Sequence, residues 1–280
     1  METYLNFNGK LVPAHDVKIP YHNRAFRYGD GFFETIRSFR SKPLWMQQHF
    51  DRMKKSAQVL KFSLPVNATS DFFSQKISEL LQANGHIAGA RVRLSIFRDA
   101  GGFYRPDGDQ SGFLIESLAL KNEKYIMNKE GLVAGIFDEI RKPVNPLSSI
   151  KSSNALLYIL ASVFASENGW NDALILNSEG YLAEATSSNI FMVKDGRIYT
   201  PDLSQSCVEG VMRRNILSIL SREGYIIHEC SLLPDDLFNV DEVLLSNTIS
   251  GVHWLKGFEH KRYYHEISSR IIELINAEMD

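Results

Sequence analysis

A single lysine, Lys151, stands in the run SSIKSSNALLYILA, between small polar residues and a leucine-rich helix. Pro143, Pro146 and the serines make a stiff approach of small residues. A lysine held at such a junction can be partly desolvated. Desolvation disfavours the ammonium form and makes the amine nucleophilic. That is what Schiff-base chemistry with an aldehyde needs. A lysine in a loop is ordinarily a solvated charge, so the chemical reading depends on what other segments supply.

Four segments supply partners. GYLAEATSSNIF offers Glu184, followed by Thr186, Ser187, Ser188 and Asn189, small polar residues that suit a bound ligand better than a core. Arg52 stands where a helix can turn it inward, although spacing alone favours a surface arginine. VEGVMRRN places a glycine just before a helix, so the free N–H groups around Val211 and Met212 can face an anion. LLSNTISG ends a strand on Asn247 and Thr248, again small donors. An amine, a carboxylate and an anion cradle are what pyridoxal phosphate requires: a Schiff-base lysine, an acid at the pyridine nitrogen and a phosphate site.

The elements that must position these residues read as α+β in two halves. YLNFNGKLV is a hairpin turned at Asn8-Gly9. FFETIRSF and KPLWM read as a strand pair. A helix follows, with Met46, Phe50, Met53, Ala57 and Leu60 in one stripe and His49, Arg52 and Ser56 in a second row. A second helix is expected over about residues 70 to 83, then strands RVRLSIFR and SGFLIESLAL around the loop DAGGFYRPDGDQ. The polar run at 122–130 is the expected linker between a domain 1–121 and a domain 131–280. Beyond it come the strand LVAGIF, the helix after Lys151 and a series of strands turned at Asn177–Gly180 and Asp195-Gly196. A helix near 208–223, the strand DEVLLSN and a last helix through YYHEISSRIIELINAEM complete the chain.

Composition removes other classes. The chain has 280 residues, 44% hydrophobic and 23% charged, with net charge −2, so nothing favours nucleic acid or a membrane surface. No apolar run approaches the length of a membrane span. Two cysteines make a disulfide framework improbable. The N-terminus carries no signal-peptide pattern, so a cytoplasmic location is expected. The two glycines of GDGFFE lack a third at dinucleotide-fingerprint spacing, and no P-loop, G-x-S-x-G or H-E-x-x-H occurs. The scattered histidines give no metal site.

The order of these segments resembles the fold-type IV, or class IV, pyridoxal phosphate enzymes: branched-chain aminotransferases, D-amino acid aminotransferases and aminodeoxychorismate lyases. YGDGFFETIR looks like the family's early strand, and HFDRMKKSA like its H-x-x-R-L-x-x-S-A helix, with Met53 for leucine. IKSSNALLYILA is similar to its lysine segment. EGYLAEATSSNIFMVKDGRIYTP is the best match, and VEGVMRRNIL resembles its G-[IV]-T-R turn, with Met212 for threonine. The resemblance implies a two-domain fold with a smaller N-terminal α/β domain and a larger, β-barrel-like C-terminal domain with flanking helices. It implies a homodimer with the active site between the domains. Lys151 would carry pyridoxal 5'-phosphate and shuttle the proton, and Glu184 would keep the pyridine nitrogen protonated. Arg52, the backbone of Val211 and Met212, and Asn247 with Thr248 would hold the phosphate, with Ser188 and Asn189 beside the cofactor. Tyr28, Phe33, Thr35, Arg93 and Arg105 fall where the family meets its substrate; Arg93 or Arg105 would take a carboxylate, and Arg91 shares the strand face of Arg93.

The substrate loops match no subgroup cleanly. The R-x-H pair of the D-amino acid enzymes is missing, since Tyr104-Arg105-Pro106 stands there. SNTISG and Thr35 look more like the lyases. The expectation is an aminotransferase acting between an amino acid, branched-chain L-amino acids first, and a 2-oxo acid. The alternative is a lyase eliminating pyruvate from aminodeoxychorismate. A third reading is a non-catalytic relative, which retention of both Lys151 and Glu184 opposes.

Overall fold

Asn8 and Gly9 both take positive φ, 49° and 88°, and turn β1 (Tyr4–Phe7) onto β2 (Lys10–Pro13). The Asn8 side chain also accepts from the Phe113 N–H at 2.7 Å, which ties the hairpin to the sheet. The computed structural model describes residues 2–279. It divides into two units: residues up to Lys124 with Ile150–Asn154, and Tyr125–Ser149 with the chain from Ala155 onward.

The first unit continues through α1 (Arg24–Tyr28), β3 (Gly31–Phe39), β4 (Lys42–Pro43), α2 (Met46–Leu60), α3 (Ser70–Ala83), β5 (Gly89–Arg98) and β6 (Ser111–Ala119). Its antiparallel sheet has the order β2-β1-β6-β5-β3-β4. Met46, Met53 and Ala57 of α2 bury against Phe32 and Ile36 of β3, Val92, Leu94 and Ile96 of β5, and Phe73, Ile77, Leu80 and Leu81 of α3. Each such side chain contributes about 1.5–3 kcal/mol of hydrophobic stabilisation. The expected strand over KPLWM shrinks to two residues. Trp45 adopts φ 51° and swings the chain into α2.

Ile150–Asn154, which the sequence reading leaves inside the second domain, belongs to the first unit. The reason is a backbone match to β3: the Phe33 N–H donates to Lys151 O at 3.0 Å and the Ser153 N–H to Gly31 O at 3.0 Å.

The second unit holds β7 (Leu132–Lys142), α4 (Leu156–Glu167), β8 (Asp172–Asn177), β9 (Leu182–Ala185), β10 (Asn189–Lys194), β11 (Arg197–Pro201), α5 (Val211–Arg222), β12 (Ile227–Cys230), β13 (Glu242–Asn247), β14 (Gly251–Phe258), β15 (Lys261–Arg262) and α6 (Glu266–Ala277). Its mixed sheet runs β12-β11-β10-β13-β14-β7-β8-β9, with β15 on β14. It curls, because β9 at one end of the path comes beside β10. Leu174, Leu182, Ile190, Val243, Leu245 and Leu255 fill its core. Ala161 and Ala165 of α4 pack near Phe137 and Ile175.

The last helix starts three residues later than YYHEISSR suggests. Tyr263 is buried, its hydroxyl donating to Leu237 O at 2.8 Å. The Glu242 carboxylate accepts from the Ile267 and Ser268 N–H groups at 2.8 and 3.0 Å and so fixes the helix start. The architecture is α+β with two sheets, as expected.

Candidate active site

In the first unit, period-two alternation along β3 buries Phe32, Glu34 and Ile36 and leaves Phe33 and Thr35 on the open face. β5 pairs in register, Ser95 opposite Phe33 and Arg93 opposite Thr35. The Arg93 guanidinium lies 3.7 Å from the Phe33 ring centroid, and Lys151 Nζ lies 4.7 Å from the same centroid. The sequence-predicted Lys151, Phe33, Thr35 and Arg93 are thus brought together. Burial lowers the Arg93 guanidinium below its usual range, against the opposing charge of Glu116.

The lysine segment is held firmly. Asn154 Nδ2 donates to Gly29 O at 3.1 Å. Gly29 has φ 63°, and a Cβ there would come 2.8 Å from Asn154 Oδ1, so the αL cap of α1 and this contact both demand glycine. Tyr28 lines an open pocket of about 270 Å³ with Tyr104, Pro106 and Asn154. Arg105 is exposed in the loop beyond β5, so of the two candidate arginines the structure sets Arg93 beside Phe33.

Arg52 is buried on the other face of that sheet. Its Nε donates to Glu34 Oε1 at 2.9 Å, a terminal nitrogen donates to Oε2, and His49 Nδ1 lies 2.6 Å from Oε2. Burial pushes the Glu34 carboxyl up. Arg52 first, then His49, more than offset this and hold it at about 2. The second helix row of the sequence is therefore inward-facing, closed on an acid that the sequence reading missed. Its signal was a lone glutamate in the otherwise apolar row Phe32, Glu34, Ile36.

In the second unit, Glu184 on β9 is 4% exposed. Oε1 accepts from Lys142 Nζ and from the Tyr158 hydroxyl at 2.7 Å; Oε2 accepts from the Val208 N–H at 2.9 Å. Burial and the neighbouring carboxylate push the Tyr158 phenol up, so it stays a donor. The Cys207 thiol is pushed up to about 12, by burial first and then by Glu184. The sequence reading missed Lys142 and Tyr158. Lys142 ends β7 after four exposed residues and a register shift, so no periodicity announces its burial.

Ser188 Oγ accepts from Asn247 Nδ2 at 2.9 Å, and Asn247 Oδ1 accepts from the Ile249 and Ser250 N–H groups at 3.0 and 2.8 Å. Asn189 Nδ2 donates to Val208 O at 2.8 Å. Thr248 is buried, and its carbonyl accepts from the Tyr125 hydroxyl at 2.8 Å. α5 begins at Val211 and Met212 with Gly210 as N-cap and no side-chain cap, so its first N–H groups carry the helix's positive end. A Cβ on Gly210 would collide with Asn189 Oδ1. The Met212 side chain is buried, so this turn offers an anion its backbone and no hydroxyl.

These donor sets fit pyridoxal phosphate in kind. The carboxylate offers about four acceptor positions, and among the described residues three donors reach it. The fourth, on Oε2, suits the N–H of a protonated ring. The uncapped start of α5 suits a phosphate.

Comparison with known proteins agrees. The family description "Amino-transferase class IV" matches residues 31–254. An aminodeoxychorismate lyase of Vibrio harveyi is 30% identical over 242 residues, covering 85% of this chain and 87% of its own. A branched-chain-amino-acid aminotransferase of Escherichia coli is 27% identical over 260 residues, covering 89% and 82%. The crystal structure of a branched-chain aminotransferase from Thermoproteus uzoniensis superposes with a TM-score of 0.89 over 98% of this chain and 93% of its own. At 24% identity that likeness is one of fold.

Proposed function

The chain belongs to the class IV aminotransferase family, and from that premise we propose that it moves an amino group between an L-amino acid, branched-chain donors first, and a 2-oxo acid, using pyridoxal 5'-phosphate. The observation that carries the reading is Glu184, a buried carboxylate fixed by three donors with one acceptor position left. Bound pyridoxal phosphate supplies an aldehyde for the amine and a protonated ring that accepts the electron pair of a breaking bond.

The chain's own residues do the rest. Lys151 Nζ is the amine that would hold the aldehyde; once displaced by the substrate amine it would take the proton from the α-carbon as general base and deliver it to the carbon that had carried the aldehyde. Glu184 Oε2 holds the ring nitrogen's proton. The Val211 and Met212 N–H groups, with Asn247, Thr248 and Ser188, hold the phosphate, and Asn189 orders the turn before α5. Arg52 carries the family's phosphate role and is held in place by Glu34. Arg93 takes the substrate carboxylate, flanked by Phe33 and Thr35, with Tyr28 and Arg105 outside it.

A second copy of the chain completes the working protein in this reading. Leu156, Ile159, Leu160 and Val163 form an exposed apolar stripe along α4 that supports it. Both cysteines are free thiols, which supports a reducing, cytoplasmic setting.

One observation favours the lyase instead. Thr35 shares its strand face with Phe33 and pairs with Arg93, which supports a hydroxyl among the residues read as meeting the substrate. A half-reaction decides. Holo-protein is mixed with single L-amino acids without acceptor, and the cofactor's absorption is followed. Conversion to the amine form with branched-chain donors is the expected result, abolished in Lys151→Ala. No conversion with any donor, and pyruvate release from aminodeoxychorismate, would replace this reading with the lyase.

A further inference from the structure

Glu184 is asked to meet a ring nitrogen in a place with little water. It is 4% exposed, on a strand whose neighbours Leu182, Ala183 and Ala185 are buried too. A charge buried in such surroundings costs free energy unless it is paired and hydrogen-bonded. A carboxylic acid set against a pyridine nitrogen can share its proton in two ways. The proton sits on oxygen, giving a neutral pair, or on nitrogen, giving carboxylate and pyridinium. Only the second gives the ring its electron-withdrawing charge.

The groups around Glu184 are arranged unequally on its two oxygens. Lys142 Nζ and the Tyr158 hydroxyl, at 2.7 Å, both donate to Oε1. Among the described residues, Oε2 has only the Val208 N–H, at 2.9 Å. Lys142 is itself buried, 3% exposed, with its ammonium 5.5 Å from the centroid of the Tyr158 ring. Cys207 also feels the charge of Glu184, and its thiol stays neutral. Arg213, a cation felt at Cys207, is engaged by Pro201 O at 2.8 Å and Glu229 Oε2 at 2.7 Å. The full charge touching Glu184 is therefore that of Lys142.

We propose that Lys142 is a positioning residue that decides where the shared proton resides: its ammonium, with the Tyr158 hydroxyl, holds Glu184 as the carboxylate and so leaves the proton on the nitrogen of a heteroaromatic ring bound at Oε2. This rests on the reading of Glu184 as the ring's partner. The step is a single proton moving from a carboxyl oxygen to the ring nitrogen's lone pair, with no other bond changed. The ammonium stabilises the carboxylate by direct contact at Oε1. Its repulsion of a charged ring acts across the width of the carboxylate and is weaker.

The test is the ¹⁵N chemical shift of ring-labelled pyridoxal phosphate bound to the protein at neutral pH. The unaltered protein should show the protonated-ring position. Lys142→Met should move the signal toward the unprotonated position, and Lys142→Arg should restore it. Tyr158→Phe should move it the same way by less. If Lys142→Met does not fold, Lys142→Gln, which keeps a donor and loses the charge, should give the same displacement. Glu184→Gln separates the two claims. If it leaves the signal unmoved, Glu184 does not face the ring and both claims fall. If it displaces the signal while Lys142→Met or Lys142→Gln leaves it at the unaltered position, the role of Lys142 alone is overturned.

Discussion

Glu34 shows how one side chain ties a helix to a sheet. Its carboxylate receives Arg52 and His49 from α2, and all three are almost fully buried. Because its carboxyl is depressed to about 2 from an ordinary 4.5, its contribution is complete above about pH 4.5 and is lost as pH falls toward 2. Glu34→Gln leaves Arg52 and His49 buried without their counter-charge, and should cost about 3–5 kcal/mol near neutrality. Urea midpoints from pH 2 to 6 check both statements. The variant should be less stable at pH 6, and the acid-side fall of the parent should be shallower in it. Equal midpoints at pH 6 would show that the triad contributes nothing net.

At the scale of elements, the start of α5 is the clearest case of backbone doing a side chain's work. Gly210→Ala would drive a Cβ into Asn189 Oδ1, so that either the Asn189 side chain or the turn before α5 must shift. Binding of pyridoxal phosphate should weaken about tenfold, read by fluorescence titration, with the melting temperature little changed.

Elements with strong periodicity were legible in the sequence. The stripe from Met46 to Leu60 gave α2, and the helix expected over 70–83 is α3. Elements fixed by tertiary contacts were not. The shortened β4, the late start of α6 on the Glu242 carboxylate and the short α1 depend on a left-handed residue, a distant acid and the Asn23 cap. The same division runs through the site. Motif order gave the candidates Lys151, Glu184, Arg93 and the α5 turn. Lys142 and Tyr158, which fix Glu184, have sequence neighbours that do not announce that contact, whereas Glu34, which fixes Arg52, was signalled only by the apolar row of Phe32 and Ile36.

For the whole molecule, α4 sets an expectation about assembly. Its apolar residues at 156, 159, 160 and 163 follow helical spacing and are 44–72% exposed. A second copy covering that stripe should make the protein a dimer in sedimentation at micromolar concentration. Ile159→Glu with Val163→Glu should shift it toward monomer while far-ultraviolet circular dichroism is unchanged. A monomer in the parent protein would remove the expectation.

Ile150–Asn154 belongs to one unit while the chain on either side belongs to the other. During synthesis, then, the first unit is left unfinished when residue 124 has been made. The Phe33 N–H and Gly31 carbonyl wait for partners that arrive some 25 residues later. The last piece to be added to that unit is the one that bears the Lys151 amine. A nascent chain stalled before residue 150 would have most of the first sheet and no chemistry, so the amine enters its setting only as that unit closes.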